Sequence, residues 1–126
     1  MSDYLIDSDV LIWHLRGQPD VIALLANLAE TGDLGISAVS VLEVQAGARP
    51  AEQGRTNTFL EGFTCFAVDR EIANQAGVYI RTYRGKGATL DFADSLVAAT
   101  AVVHNLTLVT RNTSHYPMPE VQVLKG

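Results

Sequence analysis

The chain has 126 residues and a formal net charge of −5, with 48% hydrophobic and 18% charged residues. That length and balance fit one globular domain spanning 1–126, and they exclude extensive disorder and, with Cys65 as the single cysteine, a disulfide scaffold. No apolar run of about 18 residues and no basic leader occurs, so a cytoplasmic protein with no membrane span is expected; the acidic balance argues against tight, nonspecific binding to nucleic acid.

Tyr4-Leu5-Ile6-Asp7 reads as a short strand ending in an acid, followed by a turn and a helix carrying Val10, Leu11, Ile12, Trp13 and Leu15. Gly17, Gln18 and Pro19 break that helix, and Asp20 is suited to cap a second, in which Val21, Leu24, Leu25 and Leu28 repeat at helical spacing. Leu34 to Ile36 is a brief strand. Ser37 or Ser40 then starts a helix with Val41, Leu42, Val44 and Ala46, closed by Gly47 to Pro50. Residues 52–62 are weakly helical, with Gly54 inside, and Cys65-Phe66-Ala67-Val68 reads as a third, buried strand. Asp69 caps a helix running to about Arg84, Gly85-Lys86-Gly87 forms a loop, and Asp91 caps an alanine-rich helix from Phe92 to about His104. Leu106 to Thr110 is a strand, Asn112 to Pro119 a loop, and Val121 to Leu124 a final strand. The alternation predicts an α/β fold in three layers, a mostly parallel sheet of five strands flanked by helices.

In such a sheet, function gathers where strands end. Asp7 follows the first strand with Asp9 close behind, Asp69 follows the third, and Thr110 ends the fourth, while Glu43 and Asp94 lie in early turns of helices that start at the same edge. Each acid also has a purely structural explanation. Asp9 and Asp91 are good N-caps, Ser40-x-x-Glu43 is a capping-box pattern, and Asp94 favours the helix dipole. Asp7 is harder to explain that way, because an acid in apolar company needs a partner. Converging carboxylates would repel by roughly 4 kcal/mol per pair at about 4 Å and an effective dielectric near 20, so a cation is expected among them. Oxygen donors alone favour Mg²⁺ or Mn²⁺ over zinc. His14, His104 and His115 show no metal-ligand spacing.

Four blocks carry a resemblance: Asp7-Ser8-Asp9-Val10-Leu11-Ile12, Ser40-x-x-Glu43, Asp94-x-Leu96-x-Ala98-Ala99-Thr100-Ala101 and Leu108-Val109-Thr110-Arg111-Asn112. In this order the chain resembles the PIN-domain ribonucleases, specifically VapC-like toxins of bacterial toxin–antitoxin pairs. The resemblance implies a PIN-like fold, catalytic and metal-binding roles for Asp7, Glu43 and Asp94, and Mg²⁺- or Mn²⁺-dependent endonucleolytic cleavage of RNA that leaves a 5′-phosphate. It also implies that Ser8, Thr110 and Asn112 border the site and that the partners are an RNA substrate, a cognate antitoxin and a second copy in a homodimer. Asn112 or His115 stands where many PIN domains have a fourth acid, so one firmly held ion is expected in the absence of substrate. Arg81, Arg84 and Lys86 are candidates for contact with RNA or antitoxin, or are simply solvated charges that favour the helix dipole. Trp13 and Leu15 are expected as core or dimer contacts rather than as a base-stacking platform. The rival is a receiver-like signalling module, with Asp7 and Asp9 holding Mg²⁺, Asp69 accepting a phosphoryl group, and Thr110 and Lys125 completing the site. A phosphatase with Asp7 as nucleophile and Asp9 as acid lacks the further acidic pair such enzymes use.

Overall fold

A computed structural model describes residues 3–126. The strands are β1 (Tyr4–Ile6), β2 (Leu34–Ser37), β3 (Thr64–Phe66), β4 (Thr107–Thr110) and β5 (Val123–Lys125). The helices are α1 (Ser8–Leu15), α2 (Pro19–Ala29), α3 (Ala38–Ala46), α4 (Gln53–Glu61), α5 (Arg70–Gly85) and α6 (Phe92–Val103), with short 3₁₀ turns at Pro50–Glu52 and Thr113–His115. All strand pairs are parallel and the order is β3-β2-β1-β4-β5.

The period of two in a strand divides the core between the faces of the sheet. Leu5 and Leu108, paired in register across β1 and β4, face Ile72 and Ala76 of α5 and Val97, Ala98 and Ala101 of α6. Their neighbours Ile6 and Val109, also in register, face Val10 and Leu11 of α1, Val21 and Leu25 of α2, and Val44 of α3. The result is the expected three-layer α/β arrangement. From β1 the chain progresses outward to β3 at one edge, then crosses back through α5 and α6 to place β4 beside β1. Strand order therefore reverses between β1 and β4, and the crevice beyond their carboxyl ends is the natural site for a ligand.

Several local expectations change. The second helix starts at Pro19, with Gln18 as N-cap, because proline at the first helical position needs no hydrogen-bond partner; Asp20 only occupies the first turn. Asp7, not Asp9, is the N-cap of α1. The helix α3 begins after Ser37, whose extended backbone ends β2 and whose hydroxyl accepts from Val39 N–H at 3.1 Å. Ser40 is therefore inside the helix and Glu43 is a turn beyond any capping position, so the capping-box explanation fails. The expected buried strand at Cys65 is the sheet edge, and Cys65 is exposed. The last strand begins two residues late, because Val121 turns into the core.

Gly35 in β2 allows the sheet edge to close. A Cβ there would lie 2.5 Å from Phe66 Cε2 and 3.3 Å from the Thr64 carbonyl oxygen, so alanine must displace the Phe66 ring. Gly35→Ala is expected to cost about 1–3 kcal/mol through overpacking, a drop of roughly 3–15 °C in melting temperature readable by circular dichroism.

Candidate active site

Asp7 is the centre of the site. It leaves β1 with extended backbone and caps α1, and the side chain is only 5% exposed. Its Oδ1 accepts from Ser8 N–H at 2.8 Å, and its Oδ2 accepts from Thr110 Oγ1 at 2.9 Å and from the Tyr116 hydroxyl at 2.7 Å. A buried carboxylate without such donors would be costly; here β4 and the loop after it supply them. Thr110 is itself fully buried, at the end of β4 beside β1.

The other acids surround Asp7. Ser8 Oγ donates to Glu43 Oε1 at 2.9 Å, which ties α3 to the start of α1. Asp94, in the first turn of α6, has its N–H capped by Asp91 Oδ1 at 3.1 Å. The Tyr116 hydroxyl lies 3.3 Å from Asp94 Oδ1, and His115 Nδ1 lies 3.1 Å from Asp94 Oδ2, an ion pair when the imidazole is protonated. Tyr116 has one proton to give, and the shorter contact assigns it to Asp7. Asp9 accepts from Val10 N–H at 2.7 Å and, across the crevice, from Arg111 N–H at 2.9 Å. The expected border residue Asn112 takes part through its backbone, whose N–H donates to Thr110 Oγ1 at 3.0 Å; its side chain is exposed.

These groups share one field. Burial raises the carboxyl of Glu43 above the usual range, opposed by the Ser8 hydroxyl and reinforced by Asp7, Asp94 and Asp91. Burial followed by Asp7 and Asp91 raises Asp94, and burial followed by Asp7 raises Asp9. Burial and the facing carboxylates push the Tyr116 hydroxyl far up, so it stays a proton donor at any physiological pH. Among the described residues, no three His, Cys, Asp or Glu side chains are drawn together closely enough to grip an ion as they stand. The oxygens that could reach a cation are those of Asp7, Glu43 and Asp94, the last two on partly exposed side chains.

Sequence reasoning missed Tyr116, the contact of His115 with Asp94 and the cross-link made by Asp9. It also named residues that the fold keeps elsewhere. Asp69 spends its side chain capping α5 through Ile72 N–H at 2.9 Å, beyond the edge strand β3. That placement, together with a strand order different from the 2-1-3-4-5 of receiver-like domains, removes the signalling alternative. Arg81, Arg84 and Lys86 are exposed on and just after α5.

The sequence profile described as PIN domain matches residues 4–120. The chain belongs to the PIN-domain family. Among relatives of this PIN domain, Ribonuclease VapC10 of Mycobacterium tuberculosis is 40% identical over 116 residues, covering 92% of this chain and 87% of that protein. Ribonuclease VapC19 of the same organism is 36% identical over 120 residues, covering 94% and 96%. Among solved structures, a toxin–antitoxin complex from Klebsiella pneumoniae contains a chain that superposes on this PIN domain with a TM-score of 0.78 at 28% identity, covering 96% of this chain and 95% of that one.

Proposed function

We propose that this PIN domain is a Mg²⁺- or Mn²⁺-dependent endoribonuclease and the toxin of a type II toxin–antitoxin pair. Kinship with proteins named ribonucleases and with a chain of a toxin–antitoxin complex supports the reading. The observation that carries it is the Asp7-centred cluster at the β1/β4 switch point, where Glu43 and Asp94 are raised by burial and by Asp7. Oxygen donors that repel one another fit a hard cation. Asp7, Glu43 and Asp94 would hold it, and when bound it would polarise a phosphodiester and lower the pKa of an attacking water.

The chain's own residues prepare that chemistry. Thr110 and Tyr116 hold Asp7 in one rotamer through its Oδ2, and Ser8 aims Glu43 into the crevice. Such outer partners fix the direction of a ligand's lone pairs. His115, at the rim against Asp94, gives the site a donor facing an anionic substrate. The proposal includes a cognate antitoxin as protein partner, a homodimer, and action in the cytoplasm.

The test is RNA cleavage by purified protein. Cutting is expected with Mg²⁺ or Mn²⁺, loss of cutting with EDTA, and recovery on adding excess Mn²⁺. Growth arrest on expression should be relieved by Glu43→Gln. Cleavage that persists undiminished in EDTA would overturn the metal assignment, and a protein inert toward RNA with either ion would overturn the ribonuclease reading.

A further inference from the structure

A second feature of the crevice is aromatic and cationic. Trp13, on the last turn of α1, is 38% exposed, so it does not belong to the core. Two guanidiniums attend its ring, Arg16 at 5.3 Å and Arg111 at 5.7 Å from the centroid. Arg111 directly follows β4, and its backbone N–H is the one that binds Asp9 at 2.9 Å. The Trp13 ring is thus joined to the acidic cluster, about 9 Å along α1 from Asp7 at 1.5 Å per residue.

We propose that Trp13, Arg16 and Arg111 form a nucleotide subsite of the RNA substrate, in which the guanidiniums that now lie over the indole swing out to the flanking phosphates and a base takes their place on the ring. The inference rests on the ribonuclease reading and extends it to how the strand is held. Every base has a face to stack, and arginine beside an aromatic ring is the usual combination for sequence-tolerant grip on a single strand. A chain with net charge −5 and a cluster of acids at its centre needs local cations to bring a polyanion there. Arg111 now pairs with Asp20 at 3.2 Å, but that Asp20 carboxylate is largely exposed and such pairs are weak, so a phosphate can take its place. Arg16 also lines a cavity of about 310 Å³ between α1, α3 and α4, together with Arg55 and its ion-pair partner Glu52.

Trp13 is the only tryptophan in the chain, so its emission reports on the subsite directly. Unlabelled, mixed-sequence single-stranded RNA added to Asp94→Asn protein in Mg²⁺ should quench that emission saturably. Trp13→Leu should weaken binding of the same RNA, labelled and read by anisotropy, roughly 5- to 150-fold, and Trp13→Phe should restore most of it. In the otherwise native enzyme, Trp13→Leu should raise KM and leave kcat nearly unchanged. Arg111→Gln, which keeps the backbone bond to Asp9, should reduce the slope of log affinity against log salt by about 0.7. RNA that is bound and cut while Trp13 emission and the Trp13→Leu affinity stay unchanged would overturn the subsite and leave the ribonuclease intact. A protein that neither binds nor cuts RNA would overturn both.

Discussion

Asp94→Asn will lower RNA cleavage by at least about 100-fold, the upper end of what losing a mere outer partner costs, and at the same time raise the melting temperature of the metal-free protein. The two effects have one cause. The Asp94 carboxyl is raised by burial and by its neighbours Asp7 and Asp91, so its charge works against the fold in the absence of a cation. An amide of the same shape keeps the packing and removes the repulsion. Exchanges that relieve such sites commonly gain about 0.5–2 kcal/mol, or roughly 2–10 °C here. The sign with pH follows from the same shifts. Asp9, Glu43 and Asp94 have folded-state values above their unfolded ones, so the folded chain binds more protons and its stability falls as pH rises through that window. Metal-free protein should therefore become more stable on mild acidification from neutrality toward about 4, where free carboxyls titrate. Added Mn²⁺ should flatten this dependence near neutral pH. Thermal melts across pH, with EDTA and with Mn²⁺, check both statements, and an Asp94→Asn protein that melts lower than the native chain would contradict them.

Tyr116→Phe will have the opposite effect on stability and a similar one on activity. Tyr116 is 5% exposed and gives Asp7 its shortest hydrogen bond, 2.7 Å. Without the hydroxyl, Asp7 Oδ2 retains only Thr110, and a buried carboxylate short of a donor costs about 1–3 kcal/mol. The melting temperature should drop by roughly 3–15 °C, with part of the loss recovered by Mn²⁺. Catalytic efficiency should fall about 10- to 100-fold, because Asp7 is no longer held in a single direction. Measured together, the two variants separate a carboxylate whose charge strains the fold from a partner that relieves the strain. Equal melting behaviour would refute that division of roles.

The sequence makes much of this visible where a pattern is local. Apolar spacing marks α2, α5 and α6, and β1 and β4 stand out as short β-rich runs before Asp7 and Asn112. Asp7 and Thr110 are recognisable because a strand end in an α/β sheet is already a functional address. What fails is anything set by partners far along the chain. Cys65-Phe66-Ala67-Val68 has the composition of a central strand, and nothing in four residues says that one side has no neighbour. Ser40-x-x-Glu43 satisfies a short motif, but the helix had already begun, because Ser37 leaves β2 in the conformation of an N-cap. Tyr116 lies in a loop of Asn, Thr, Ser, His and Pro, where an aromatic residue carries no period to place it.

Two of the three hydrogen bonds to the Asp7 carboxylate come from Thr110 and Tyr116, 103 and 109 residues further along the chain. During synthesis at about 5–20 residues per second, the Asp7 carboxylate waits roughly 5–20 s for those partners, and such distant closures are among the slower steps of folding. A nascent chain thus passes most of its synthesis with the site unassembled. A protein that attacks RNA would gain from this a built-in delay, during which neither its own message nor the ribosome making it faces a finished nuclease.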